Sequence, residues 1–313
     1  MEMLNEKLQI ITPCFCAGND KEKAELRAPS VRGQLRWWFR VLGGSPELEK
    51  SVFGGVHDGT AASKVVVRVK NVEAVYGRPN ELPQQNSPGY YLFHFANASG
   101  KARGARYQNQ AWFKPGTSFE LECFSRLPMS SEESQLFQEA WDAFIGLGCL
   151  GLRQTRGIGA FAQVSPMTFV DVRKNLFAKL NQKGIKLWLA TDMNGSILFT
   201  NSWLKSLVWL EATLGWIRKN GFSAGKFGDN YTPLGMSSST QRQASAIHLR
   251  PVLTQNGFVS VLYYTPQVLG AFNSAQDKAL LNLLNGGQLI KTPYSQRPKM
   301  PDDRDEISIC KAF

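Results

Sequence analysis

The chain has 313 residues, 43% of them hydrophobic and 19% charged, a composition that describes a well-packed globule and argues against extended disorder. Its net charge of +11 and pI near 9.5 favour a polyanionic partner, because a field of that sign concentrates phosphates. The five cysteines (Cys14, Cys16, Cys123, Cys149, Cys310) are an odd number with no C-x-x-C pair, the start MEMLNEKLQ has no apolar signal core, and no run of 18 apolar residues occurs, so neither a disulfide framework nor a zinc ribbon is indicated, no membrane partner is expected, and a cytoplasmic protein is expected.

Residues 8–15 (LQIITPCF) read as a strand, and a charged loop leads from them to residues 30–40, SVRGQLRWWFR. Ser30 suits an N-cap. At about 100° per residue, Arg32, Arg36 and Arg40 fall in one narrow strip, while Val31, Leu35, Trp38, Phe39 and Leu42 form a core stripe elsewhere. Trp37 lies on neither, and Gly33 sits in the first turn, where a missing Cβ admits another backbone or a ligand. No acid occurs between Glu25 and Glu47, so the strip is expected to lack a local partner and to meet a phosphate backbone. A buried amphipathic helix with a solvated basic edge is the structural alternative.

Residues 64–72, 89–96 and 118–124 predict strands, residues 131–145 a helix with apolar positions at Leu136, Phe137, Ala140, Trp141, Phe144 and Ile145, and residues 160–164 a further strand. The order β, α, β, β, β, α, β is that of a ferredoxin-like unit with an extra strand or hairpin inserted, an α+β architecture. The second half predicts helices over 203–218 and 275–284 and paired strands over 246–253 and 258–264, a more degenerate copy of the same unit. The modules are expected at 1–170 and 171–313, with a long Gly- and Ser-rich loop over 221–239 and a loosely held tail from 291. Lys and Arg outnumber Asp and Glu by 19 to 16 in residues 1–170 and by 17 to 9 beyond them.

Residues 146–161 (GLGCLGLRQTRGIGAF) contain a literal G-x-G-x-x-G, but it follows a helix and leads into a strand, the reverse of a dinucleotide site. No cofactor is called for. Backbone freed by Gly151 and Gly157 beside Arg153 and Arg156 suits phosphate contacts, and a tight turn is the plainer alternative. Residues 100–116 interleave Lys101, Arg103, Arg106 and Lys114 with Tyr107, Trp112 and Phe113 in an acid-free span, a pattern for stacking and phosphate binding or for a solvated loop with core anchors. Arg242, His248 and Arg250 lie in a second acid-free span, 230–276. The three histidines (His57, His94, His248) show no metal-ligand spacing, and Asp302, Asp303, Asp305 and Glu306 read as a solvated acidic run.

Five segments together resemble the RAMP superfamily of CRISPR proteins, and within it the first-subunit family of Cmr-type (type III-B) effectors. They are ITPCF, AELRAPSVRGQLRWWFR (residues 24–40), LEKSVFGG (48–55), the glycine-rich GLGCLGLRQTRGIGAF and RQASAIHLRP in the second half. The resemblance implies two tandem ferredoxin-like, RRM-related modules and a non-catalytic RNA-binding subunit that meets the 3′ region of the CRISPR RNA and helps capture single-stranded target RNA beside other RAMP subunits. Arg27, Arg32, Arg36, Trp37, Arg40, Lys101, Arg103, Arg106, Gly151, Arg153, Arg156, Gly157, Arg242 and Arg250 are the RNA-binding candidates, with no catalytic or metal-binding residue. The enzyme alternative is a metal-free RAMP endoribonuclease that processes precursor CRISPR RNA, with His94 or His248 as general base. A scaffold that contacts only protein neighbours is a further alternative.

Overall fold

A computed structural model describes residues 3–56, 59–96, 110–222, 236–237, 242–243, 245–265, 274–286, 290–291 and 306–312. The chain divides into two compact units, one of Met1–Glu81, Ala98–Gln154 and Ile158–Met167, the other of Leu82–Asn97, Thr155–Gly157 and Thr168–Phe313. The elements in chain order are β1 (Leu4–Ile10), α1 (Ala28–Val41), α2 (Pro46–Phe53), β2 (Val65–Glu73), α3 (Tyr90–Phe93), β3 (Ser118–Ser125), α4 (Ser131–Leu147) and β4 (Phe161–Gln163). Then follow α5 (Phe169–Val172), joined through a π-helical turn to α6 (Ala178–Gln182), β5 (Lys186–Thr191), β6 (Phe199–Thr200), α7 (Trp203–Ile217), β7 (Met236–Ser237), β8 (Arg242–Gln243), β9 (Ile247–Thr254), β10 (Gly257–Tyr264), α8 (Ser274–Asn285), β11 (Ile290–Lys291) and β12 (Glu306–Lys311). Helices and antiparallel sheets make an α+β protein.

The first unit follows β1, α1, β2, β3, α4, β4, with its sheet in the order β2-β3-β1-β4 and every pair antiparallel. Alternation along the strands buries Leu8, Ile10, Phe119, Leu121 and Cys123, and the same unit buries Val31, Leu35, Trp38 and Phe39 of α1 and Phe137, Ala140 and Phe144 of α4. Each such large apolar side chain contributes roughly 1.5–3 kcal/mol by leaving water. A capping box fixes the start of α4: the Ser130 hydroxyl accepts from the Glu133 N–H and the Glu133 carboxylate accepts from the Ser130 N–H. Lys64, 2.7 Å away, neutralises that buried glutamate.

Three expectations for this half are corrected. Arg27, not Ser30, caps α1, because Pro29 needs no backbone N–H partner and fits the first helical turn. The segment 89–96 is no strand: Gly89 takes the left-handed conformation that launches the single turn α3, which buries Leu92 and Phe93. The first strand spans Leu4–Ile10 and stops short of Pro13.

The second unit repeats the connectivity with β5, α7, β9, β10, α8 and β12. Strands β9, β10, β5 and β12 lie side by side in that order, all antiparallel. The strand β12 thereby overturns the expected loose tail, at least over its own residues, since Ile307 and Ile309 are buried in the sheet. A Ser206–Ser260 hydroxyl pair at 2.8 Å ties α7 to β10, and the Trp188 indole donates to Asn285 of α8 at 3.3 Å. The turn α3 also belongs here, with Phe93 edge-on to Trp203 at 6.1 Å. Among the described residues no helix is long and apolar enough to cross a membrane.

Candidate nucleic-acid interface

The arginine strip on α1 does have a local partner. Helix α2 starts at the Ser45 cap and folds back so that Glu49, 7% exposed, lies under the strip. Arg36 Nε donates to its carboxylate at 2.8 Å and Arg40 Nε lies 2.5 Å from its other oxygen. The acid stands nine residues beyond Arg40, outside the window that looked acid-free along the sequence, and a tight helix pair brings it back. Arg32 makes a different bond, its Nη2 donating to the carbonyl of Phe53 at the end of α2. Its Nε is buried without a hydrogen-bond partner. Burial first, then the neighbouring Arg36 and Arg126 charges, push this guanidinium below its ordinary pKa.

Arg32 and Arg36 line a cleft of about 790 Å³, with Gly33 and Pro29 of α1, Phe53 at the end of α2 and Gly54 to Val56 after it, Val65 to Val67 of β2, and Arg126. Sequence reading missed Arg126. It follows β3, 90 positions from Arg36 in the chain, and only the β2–β3 pairing makes it a neighbour: its backbone N–H donates to Lys64 and its Nε to the Ser63 carbonyl at 3.0 Å. The lining contains three arginines and no acid. Glu49 neutralises Arg36 from behind the cleft, so the charges that chiefly remain are those of Arg32 and Arg126, and an oxyanion placed between them relieves their repulsion.

The open face of the same sheet has a different character. Glu122 there is 8% exposed and pairs with Lys70 and, at 4.0 Å, with Arg68. Arg68 in turn covers the Phe124 ring at 4.8 Å. Acids paired with bases over a covered ring do not make an aromatic platform for bases.

The other candidates scatter. Arg27 is half-buried and 3.8 Å from Glu25. Arg40 is exposed beside Glu49, and Trp37 is half-buried, edge-on to Trp38 at 4.9 Å. In the glycine-rich loop Arg153 is exposed with a left-handed backbone, φ 54°, and belongs to the first unit, whereas Arg156 belongs to the second. The glycines answer to the protein itself. A Cβ on Gly151 would lie 2.4 Å from the Phe15 carbonyl, and one on buried Gly157 would lie 2.8 Å from Pro251 and 2.9 Å from Leu207. Lys101, Arg103, Arg106 and Tyr107 fall outside the described residues, as does His57. In the same stretch Trp112 and Phe113 are core and Lys114 pairs with Glu81 at 2.7 Å.

Arg242 lies in β8, opposite Ser237 of β7. Arg250 is 3% exposed, with Nη2 donating to the Tyr263 hydroxyl at 3.2 Å. Strand β9 is buried along nearly its whole length, so alternation there does not mark a wet face. His248 stacks on Tyr263 at 4.6 Å, and burial together with the Arg156 charge pulls its pKa down to about 3. His94 is exposed at the end of α3. Four of the five cysteines are buried and all are free. No group of three or more metal-ligating side chains occurs among the described residues.

Residues 7–162 match the RAMP superfamily. The chain is 28% identical over 194 residues to "CRISPR system Cmr subunit Cmr1-1" of Pyrococcus furiosus, an alignment covering 57% of this chain and 53% of that protein. It thus spans about half the length of that relative. It is 27% identical over 180 residues to Cmr1-2 of the same organism, covering 49% of this chain and 90% of the relative. The crystal structure of Cmr1 from Pyrococcus furiosus in its apo form shares the fold, with a TM-score of 0.58 at 18% identity over 90% of this chain and 97% of that one. A chain of the type III-B Cmr-beta assembly bound to cognate target RNA also shares it, with a TM-score of 0.54 at 10% identity over 89% and 98%.

Proposed function

The chain belongs to the RAMP superfamily, and from that premise we propose that it is a non-catalytic RNA-binding subunit of a Cmr-type CRISPR effector. In this reading it contacts the 3′ region of the CRISPR RNA and helps capture single-stranded target RNA beside other RAMP subunits. Its two units serve as tandem ferredoxin-like modules that divide near residue 170. The single observation that carries the reading is the acid-free cleft in which Arg32, Arg36 and Arg126 converge. Relatives named as Cmr subunits, and a fold shared with a chain of an RNA-bound Cmr assembly, support the placement in an effector.

The endoribonuclease alternative has less behind it. A general base works best with a pKa near the operating pH, and burial leaves His248 neutral and weakly basic, stacked against Tyr263. His94 stands exposed outside the cleft lining.

Affinity capture of the full chain from its own host tests the proposal. RNA of defined length and other RAMP subunits should co-purify, and the purified chain should leave precursor CRISPR RNA intact in the presence of chelator. Recovery of the chain alone, or metal-free cleavage, would overturn it.

A further inference from the structure

Among the described residues Arg250, 3% exposed, is the only lysine or arginine that is buried. It shares one face of β9 with His248 and Val252, opposite Val261 of β10, with Leu189 of β5 in the next place, and Val261 and Leu189 are buried too. Its Nη2 donates to the Tyr263 hydroxyl at 3.2 Å, while its Nε and Nη1 are buried with no hydrogen-bond partner. The guanidinium therefore sits charged in an apolar row with most of its donors unused.

Its neighbours supply no counter-charge. Burial raises the Tyr263 phenol, against the opposing Arg250 charge, so that ring stays neutral. His248, stacked on the ring at 4.6 Å, is neutral as well, and its Nε2 meets the Thr265 hydroxyl at 3.3 Å. The further charge that reaches this stack is again positive: after burial, it is Arg156 that holds the His248 pKa down. The Arg156 segment lies along β9, where a Cβ on Gly157 would be 3.1 Å from the Leu249 carbonyl. No carboxylate among the described residues pairs with Arg250.

A buried charge without compensation is strongly destabilising. Water would fill the empty donors and leave the charge standing; an anion answers both. Donors on separate nitrogens suit an anion with several oxygens. The depth of the guanidinium limits its size, since a phosphodiester would bring a nucleoside on either side. We infer that the second unit holds a free, phosphate-sized oxyanion at Arg250, beside the His248–Tyr263 stack, as a stabilising counter-ion separate from the arginine cleft of the first unit.

The test is thermal melting of the full chain in chloride and in about 10 mM inorganic phosphate at matched ionic strength and pH. Phosphate should raise the melting temperature of wild type by about 3 °C more than that of Arg250→Met, a difference from which any general salt effect cancels. In chloride Arg250→Met should melt no lower than wild type, because it removes a charge that nothing in the fold balances. Arg126→Gln should keep the full phosphate response. A short oligouridylate should shift wild type and Arg250→Met equally. A phosphate response that is missing from wild type, survives Arg250→Met or vanishes with Arg126→Gln would overturn the inference. Arg250→Met melting far below wild type in chloride would overturn it too, since the fold would then already supply the counter-charge. An oligouridylate shift abolished by Arg250→Met would give the site to RNA instead of a free anion.

Discussion

Glu211 and His248 give the second unit opposite responses to pH. Glu211 lies buried in α7, hydrogen-bonded to the Gly89 backbone, and burial pushes its carboxyl up to about 7. Above pH 4.5 the unfolded chain ionises this group while the folded chain holds its proton. The stability it allows at low pH is therefore lost as pH rises from about 4.5 to about 7, and the loss is constant beyond. Glu211→Gln should stabilise the protein by up to about 3 kcal/mol at pH 8 and by nearly nothing at pH 4. Urea titrations at the two pH values check this, and an equal shift at both would mean that the carboxyl is not held protonated. His248 works in the other window. Its folded pKa of about 3 lies below the unfolded value of 6.5, so stability present above pH 6.5 drains away as pH falls toward 3. His248→Phe should flatten that acid limb of the stability profile, and an unchanged limb would point to other groups.

At the scale of elements, α1 and α2 act as a clamp closed by charge. Arg36→Ala should lower stability by about 2 kcal/mol, since it takes a charge-assisted hydrogen bond from the buried Glu49 and leaves Arg40 as partner. A double variant of Arg32 and Arg36 thus reports on folding as well as on binding, and thermal melts must accompany any RNA measurement on it. The glycine-rich loop calls for the same care. Gly157→Val should destabilise the second unit severely, because φ is 76° and the new side chain would run into Pro251 and Leu207. If the variant melts like wild type, the close packing around residue 157 is wrong. These elements also mark what could be read along the chain. The helices at α1 and α4 and the paired strands β9 and β10 were legible because hydrophobic periodicity fixes them. Arg126 was not, because its place in the cleft depends on strand pairing between distant segments. Arg250 looked like a surface residue because a strand buried on both faces and a half-buried one share the same local alternation. Glu49 lay just past the end of the charge window, and only the reversal of direction between two helices makes it the partner of Arg36.

Across the whole molecule, an excess of eleven positive charges raises affinity for any polyanion, so weak RNA binding alone says little about where RNA sits. What separates the cleft from the general field is the number of RNA phosphates it neutralises, each releasing condensed counterions. The most direct measurement is the affinity for single-stranded RNA as a function of salt, for wild type and for an Arg32→Gln, Arg126→Gln double variant shown by thermal melting to be folded. Loss of two phosphate contacts should weaken binding at low salt and make the slope of log K against log salt shallower by about 1.4, two contacts at about 0.7 each for single strands. A folded double variant with the wild-type slope and affinity would contradict the central claim and place the RNA elsewhere on the protein.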